Sequence, residues 1–116
     1  MSKKNLRGID LFCGIGGFRL AMETCHVNCV FSSDIDKFAR QTYQANFGDI
    51  PKGDITKIEA SDIPTFDILA AGFPCQPFSY AGLKEGFKDE TRGTLFFEIC
   101  RILDYHKPPM VFLENV

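Results

Sequence analysis

The sequence predicts an α/β fold with a Rossmann-like, doubly wound and mostly parallel sheet, formed as a single unit over residues 1–116. Two observations predict it. Short apolar runs alternate with amphipathic stretches along the chain, which is the pattern of successive βαβ units. A glycine-rich turn also follows the first apolar run directly, as it does where a parallel strand leads into a helix beside a ligand.

Hydrophobic periodicity and capping residues place the elements. We expect strands at 6–12, 28–33, 66–71 and 110–113, and helices at 18–24, 36–47 and 93–106. The last helix is the clearest, because its apolar residues recur on one face. Asp36 is a predicted N-cap. Residues 53–55 are expected to form a brief extended piece and residues 72–91 a long loop.

The end of the chain predicts an incomplete sheet. No helical pattern follows the fourth strand, although parallel strands are normally covered by helices on both faces. Apolar area on that strand would therefore stay uncovered. We expect that the chain is a fragment of the domain or that another chain completes it.

Composition excludes several classes of protein. The five cysteines are an odd number and suggest no disulfide framework, and Cys25, His26 and Cys29 lack the further ligands of a zinc site, so no metal is expected. No apolar run is long enough for a membrane span and no secretory signal is visible, so a cytoplasmic location is expected, or a nuclear one if the source has a nucleus. The net charge of −2 is not typical of a nucleic-acid binder. Any positively charged surface that binds nucleic acid must therefore be local or supplied by another part or chain.

The first candidate site is the turn that carries Gly14, Gly16 and Gly17. Glycines let a ligand approach the backbone, and the helix that follows offers free amide groups. Asp34 lies 18 residues beyond Gly16 at the end of the second strand, where a carboxylate can bind ribose hydroxyls. A dinucleotide or S-adenosylmethionine would suit these features, but Arg19 stands where a dinucleotide fingerprint needs its third glycine. The alternative interpretation is a tight turn that binds no ligand.

Two further candidates follow the third and fourth strands. Cys75 is flanked by prolines at the end of an apolar run, which suits a nucleophile held on a stiff backbone, although a structural cysteine fits equally well. Glu114 ends the last strand, on the sheet edge where Cys75 is expected. A cysteine with a nearby carboxyl suits addition to an electron-poor ring, with the acid protonating a ring nitrogen. Glu114 taken alone is more often a surface acid.

Together these segments resemble the cytosine-5 DNA methyltransferase family, most closely its bacterial restriction-modification members. The matching segments in chain order are 10–18 (DLFCGIGGF), 33–36 (SDID), 53–55 (GDI), 72–79 (GFPCQPFS), 92–95 (RGTL) and 114–116 (ENV). Each motif is modest alone, but their order and spacing along nearly the whole chain are highly specific. The resemblance implies the methyltransferase version of the Rossmann-like fold and S-adenosylmethionine as cofactor.

The resemblance also assigns roles to residues. Cys75 and Glu114 would be catalytic, and a cytosine flipped out of double-stranded DNA would be the substrate. Ile35 would pack on adenine, where the family often has a larger aromatic. The other residues expected around the cofactor are Phe12, Gly14, Gly16, Gly17, Asp34, Asp54, Ile55, Pro74 and Leu95. The residues expected to contact DNA are Gln76, Ser79, Lys84, Lys88 and Arg92, although acidic neighbours leave a plain solvated loop as the alternative.

Family members continue beyond their Glu-Asn-Val motif, and this sequence carries no target recognition region and no final cofactor-binding segment. Three functions follow from that. The chain can be part of a DNA methyltransferase that needs a C-terminal part or a complementing chain. It can be an inactive remnant that binds the cofactor or serves as an interaction partner. It can also belong to a transfer-RNA cytosine-5 methyltransferase that shares these motifs.

Overall fold

The computed structural model describes residues 5–73 and 90–115, without the side chains of Phe73, residues 90–94 and Asn115. The described elements form one parallel sheet of four strands with helices between them. The strands are β1 (Arg7–Leu11), β2 (Asn28–Ser33), β3 (Ile68–Phe73) and β4 (Met110–Asn115). The helices are α1 (Gly17–Thr24), α2 (Lys37–Phe47) and α3 (Glu90–His106), with short 3-10 turns at Ile55–Lys57 and Ala60–Asp62.

All four predicted strands and all three predicted helices are confirmed, with shifts at their ends. The extended piece expected at 53–55 is wrong. The bridge to β2 is made one residue earlier, by Lys52 to Ser33, and Asp54 then caps a 3-10 turn by accepting from the Thr56 amide. An aspartate that bonds its own following backbone favours a turn over a strand. The ends of the loop predicted at 72–91 are also wrong, because β3 extends to Phe73 and α3 begins at Glu90, and residues 74–89 lie outside the described residues.

The strand order β2-β1-β3-β4 places the point of reversal between β1 and β3. From β1 the chain moves outward to β2, and it then returns to the other side of β1 to form β3. Open parallel sheets bind ligands in the crevice outside the carboxyl ends of the strands at such a reversal. The turn that follows β1 and the residues that end β3 both lie at this crevice.

The sheet is packed on both faces. One face carries Ile9, Leu11, Leu69 and Ala71 into a core closed by α3 and the two 3-10 turns. The other face places Ile68 and Ala70 against Met22 of α1 and Val27 before β2. The central strands β1 and β3 are therefore buried on both sides, as is usual for the inner strands of a parallel sheet.

Helix α2 begins and ends as its sequence predicts. Asp36 caps its first turn, since the side-chain Oδ1 accepts from the amides of Phe38 and Ala39 at 2.8 and 3.3 Å. Gly48 ends it with a φ of 85°, in the left-handed region that glycine adopts without penalty. This capping fixes the direction in which the chain passes from β2 into α2, next to Asp34.

Strand β4 is the exposed strand of the described sheet. Its register pairs Val111 with Leu69 and Leu113 with Ala71, so these two side chains continue the larger core outward. Val111 is 40% exposed and Leu113 46%, and on the opposite face Phe112 is 58% exposed. The apolar surface expected from the sequence at this end of the sheet is present in the described structure.

Within the described ranges, no helix is long and apolar enough to cross a membrane. Residues 5–73 and 90–115 also hold no group of three or more His, Cys, Asp or Glu side chains arranged to bind a metal ion. Cys25 is exposed and Cys29 is half-buried.

Candidate active site

The turn after β1 has a backbone that few residues adopt. Phe12, Gly14 and Gly16 have φ values of 52°, 56° and 105°. Hydrogen bonds hold the turn, because the Gly16 amide donates to the Cys13 carbonyl at 3.0 Å and the Cys13 amide donates to Ser33 of β2 at 2.9 Å. A Cβ built on Gly14 would meet no atom within 4 Å, so the turn leaves its backbone open to a ligand.

Asp34 faces this turn from the end of β2. Its Oδ2 accepts from the Gly14 amide at 2.8 Å, and its Oδ1 accepts from the Asp36 amide at 2.8 Å. The backbone behind it is also held, since Arg40 donates to the Asp34 carbonyl at 2.8 Å. Each carboxylate oxygen can accept more than one hydrogen bond, so the fixed, half-buried carboxylate keeps capacity for two hydroxyl groups.

The residues predicted around adenine differ in their exposure. Ile35 is 73% exposed, so its side chain is free to cover a flat ring. Asp54 accepts from the hydroxyl and the amide of Thr56 at 2.7 and 3.0 Å, and these bonds lower the pKa of its carboxyl. Ile55 is only 4% exposed and packs in the larger core, which leaves its backbone as the part within reach of a ligand.

These residues fit the adenosyl part of S-adenosylmethionine. A pinned carboxylate suits the ribose hydroxyls, and a bare backbone at Gly14 and Gly17 suits close approach, since a Cβ at either position would meet no atom within 4 Å. Leu95, predicted to line the same pocket, is half-buried on α3. Arg19 stands where a dinucleotide-binding turn has its third glycine, so this turn does not match a dinucleotide site.

Glu114 lies on β4 directly opposite Gly72 of β3. A Cβ built on Gly72 would lie 3.7 Å from the Glu114 Oε2 and 3.8 Å from the Phe18 ring. Because Gly72 has no side chain, the carboxylate sits across the carboxyl end of β3, and its exposed state leaves it accessible to a ligand. The predicted placement of Glu114 at the sheet edge where β3 ends agrees with this register.

The predicted nucleophile and most of the predicted DNA contacts lie outside the described residues. They are Pro74, Cys75, Gln76, Ser79, Lys84 and Lys88. Arg92 belongs to the first turn of α3, but its side chain is not among those described. These assignments stay predictions.

Two of the other cysteines are poor nucleophiles. Burial raises the pKa of the Cys13 thiol well above its usual range, and Asp10 and Asp34 nearby raise it further. Burial likewise raises the pKa of the Cys29 thiol. Since the thiolate is the reactive form, a raised pKa disfavours both thiols as nucleophiles.

Comparison with known proteins decides the family. The model of the C-5 cytosine-specific DNA methylase family matches residues 6–116. The chain belongs to this family. It is 57% identical over 116 residues to the Type II methyltransferase M.DsaV of Dactylococcopsis salina, a match that covers the whole of this chain and 33% of that protein.

Further relatives agree with this assignment. The Type II methyltransferase M.HhaI of Haemophilus parahaemolyticus is 57% identical over 111 residues, covering 96% of this chain and 34% of that protein. M.NlaX of Neisseria lactamica is 64% identical over 111 residues, covering 93% of this chain and 35% of that protein. The chain therefore spans about a third of the length of the curated relatives it matches.

Solved structures share the fold. The S. pombe Dnmt2 methyltransferase superposes with a TM-score of 0.71 at 26% identity, over 97% of this chain and 35% of that one. The Entamoeba histolytica methyltransferase EhMeth gives 0.80 at 24% identity, over 98% of this chain and 39% of that one. The fold is that of the methyltransferases, as the sequence predicts.

The chain also has a buried polar network that the sequence analysis missed. Asp10 on β1 is fully buried, and its Oδ2 accepts from the Tyr43 hydroxyl at 3.2 Å. Its Oδ1 has no hydrogen-bond partner in the described part of the chain. Arg19 in turn donates to the Tyr43 oxygen at 3.4 Å. A charged residue inside an apolar strand was the available signal for this network.

The Asp10 carboxyl makes stability depend on pH. Burial raises its pKa to about 7 from an ordinary value of 3.8, and the bond from Tyr43 only partly offsets this. The folded chain therefore binds a proton more tightly than the unfolded chain, so this group stabilises the fold fully below pH 4 and the stabilisation is lost as pH rises through 7.

Asp10→Asn is expected to flatten this dependence. The loss between pH 4 and pH 7 amounts to roughly 4 kcal/mol for a shift of this size, and the neutral amide does not titrate. Urea unfolding followed by circular dichroism at several pH values measures it. Asp62→Asn, at an exposed position, is the control and should keep the wild-type slope. An unchanged slope in Asp10→Asn would show that Asp10 is ionised in the fold.

Proposed function

We propose that this chain is the cofactor-binding and catalytic part of a DNA cytosine-5 methyltransferase, working in the cytoplasm, which transfers a methyl group from S-adenosylmethionine to C5 of cytosine. One observation carries the proposal. The Asp34 carboxylate is fixed by two amides at the carboxyl end of β2 and faces the open turn after β1. A ribose site at that place, in a chain of this family, suits the cofactor of methyl transfer.

The cofactor supplies an electrophilic methyl group when bound, and the residues of the chain hold it. Asp34 accepts hydrogen bonds from the ribose hydroxyls, and Ile35 covers the adenine. Phe12, Gly14 and the remaining predicted residues enclose the methionine part and the pocket walls.

Cys75 and Glu114 act on the cytosine. Because C5 is a poor nucleophile, the Cys75 thiolate adds to C6 while Glu114 delivers a proton to N3, and the ring becomes electron-rich at C5. C5 would then take the methyl group as the bond from that group to the cofactor sulfur breaks, which leaves S-adenosylhomocysteine. A base would remove the C5 proton, N3 would return its proton to Glu114, and the thiolate would leave as the C6–S bond breaks. A free thiol has a pKa of about 8.5, so this site must favour the thiolate.

The placement of Glu114 supports this chemistry. Its carboxylate lies next to Gly72, and two residues separate Gly72 from Cys75 in the sequence. Three Cα–Cα steps span about 11 Å at most, so the chain itself keeps the two groups within reach of one flipped base. Lys84, Lys88 and Arg92, with Gln76 and Ser79, are proposed to contact the DNA around that base.

The exposed apolar surface of β4 is proposed to pack against a C-terminal part, in the same protein or in a complementing chain. Phe112 and Leu113 lie on opposite faces of β4 and are 58% and 46% exposed. Relatives extend over about three times the length of this chain. That additional part would also supply the positively charged surface that reads DNA sequence. This agrees with the net charge of −2 of the present chain, which is not that of a nucleic-acid binder.

Asp34→Ala tests the cofactor site. Losing two ribose hydrogen bonds to a charged group should raise the dissociation constant of S-adenosylmethionine by about 100-fold or more, since each such bond contributes about 1.5–3 kcal/mol. Isothermal titration calorimetry measures it.

Asp62→Asn removes one carboxylate at an exposed position far along the chain from this site, and it should bind like the wild type. An Asp34→Ala chain that stays folded and binds the cofactor with wild-type affinity would contradict the assignment of the ribose site.

A further inference from the structure

Arg19 occupies the position where a dinucleotide-binding turn carries its third glycine. Its side chain lies on α1 and is only 11% exposed. A guanidinium this deeply buried requires partners. It has one on its own helix, Glu23 at 3.0 Å, and one just beyond α2, Asp49 at 2.7 Å.

Two aromatic rings of α2 complete the surroundings of Arg19. Its guanidinium carbon lies 5.2 Å from the Phe47 ring centroid and 5.9 Å from the Tyr43 ring centroid, within the range of cation–π attraction. The two rings are themselves 5.0 Å apart. Arg19 therefore fastens α1 to the C-terminal half of α2 through an ion pair, a hydrogen bond and two ring faces.

The same two side chains contact β1 just before the turn and Gly16 at the end of the turn. Tyr43 donates to Asp10, two residues before Phe12. The Phe47 ring packs directly on Gly16, where any added Cβ would overlap it. We name this set the Arg19 bracket; its members are Asp10, Arg19, Tyr43, Phe47 and Asp49.

The turn has a physical need for such support. Phe12 is not a glycine, yet its φ is 52°, and Gly14 and Gly16 also have positive φ values. Conformations of this kind cost free energy and persist only where the surroundings enforce them. The Gly14 amide must point at Asp34 for the carboxylate to be held, so a relaxed turn would also release the predicted ribose site.

We propose that Arg19 is a positioning residue that keeps the turn after β1 in the conformation that binds the cofactor. It acts through Phe47 and Tyr43 and touches no ligand itself. The ligand named here rests on the proposed function, whereas the ordering of the turn by the bracket does not depend on it.

Arg19→Met tests this proposal, because methionine keeps an aliphatic side chain and lacks the planar guanidinium group, which has a forked shape. Two quantities are measured on the folded chain: hydrogen exchange of the Gly14 and Gly16 amides without cofactor, and the dissociation constant of S-adenosylmethionine. If the turn is competent for about a tenth of the time, the dissociation constant rises about tenfold, and exchange accelerates. Arg19→Lys, which keeps the charge without the planar fork, should recover part of both effects.

Glu23→Gln is the matched control, because Glu23 pairs with Arg19 from the same helix, through a side chain that is 48% exposed, and is not a member of the bracket. It should leave exchange and affinity unchanged. If Arg19→Met only lowers the urea midpoint, with wild-type exchange and affinity in the folded chain, Arg19 is an ordinary structural ion pair and the proposal is wrong.

Two further outcomes are decisive. If Arg19→Met does not fold, Asp49→Asn replaces it, and it should accelerate exchange at both glycines by a smaller factor; wild-type exchange in that variant would overturn the proposal. If the wild-type chain binds no S-adenosylmethionine, the proposed function fails, but the exchange comparison still decides whether the bracket orders the turn.

Discussion

Replacing Cys75 by serine is expected to lower methyl transfer to DNA by at least about 10³-fold, because the reaction would lose its covalent intermediate. Serine keeps the size of the side chain, but its hydroxyl is far less nucleophilic than a thiolate at neutral pH. Cofactor affinity should be unchanged, since the predicted ribose site is formed by residues after β1 and β2. The measurement is tritium transfer from labelled S-adenosylmethionine to DNA, with the chain combined with the C-terminal part that its relatives carry.

Cys100→Ser is the matched control for this prediction. Cys100 is an exposed thiol on α3, on an element that packs against the 3-10 turns. It should retain wild-type methyl transfer. A Cys75→Ser chain that remains active, or a Cys100→Ser chain that loses activity to the same degree, would show that the nucleophile lies elsewhere.

Glu114→Gln is expected to lower the rate of methyl transfer by about 10²- to 10⁴-fold, the usual range for loss of a general acid. Glutamine fits beside Gly72 as glutamate does, but it cannot protonate N3 of the ring. The effect should appear in kcat with little change in the dissociation constant of S-adenosylmethionine. Single-turnover methyl transfer and calorimetry measure the two quantities separately.

Glu59→Gln provides the comparison, since Glu59 is an exposed glutamate just before the second 3-10 turn. Its methyl transfer should match the wild type. If Glu114→Gln binds cofactor more weakly but turns over normally once saturated, Glu114 belongs to the cofactor site and not to the chemistry.

Most of the fold was predictable because local sequence and tertiary packing agree. The apolar runs of β1 and β3 are buried on both faces, and Asp36 and Gly48 end α2 as their residue types predict. The segment at 53–55 was not predictable from apolar content alone. Ile55 does enter the core, but the Asp54 side chain accepts a hydrogen bond from the following backbone and begins a 3-10 turn. Hydrophobic periodicity does not distinguish this turn from a short strand.

The candidate site was predictable only in part. The nearness of the glycine turn to Asp34 follows from motif spacing, because each comes soon after one of two neighbouring parallel strands. The opposition of Gly72 and Glu114 depends on strand order and register, which one sequence does not specify. The Arg19 bracket joins positions up to 39 residues apart, from Asp10 to Asp49, through side-chain contacts that no local pattern signals.

The most direct test of the proposed function is covalent trapping on DNA that contains 5-fluorocytosine, with S-adenosylmethionine and the C-terminal part present. Fluorine at C5 cannot leave as a proton, so the bond from Cys75 to C6 should survive denaturation. We predict a protein–DNA adduct that requires the cofactor and is absent in Cys75→Ser. No adduct across varied DNA sequences, an adduct that persists in Cys75→Ser, or trapping on fluorinated transfer RNA but not on DNA would contradict the account.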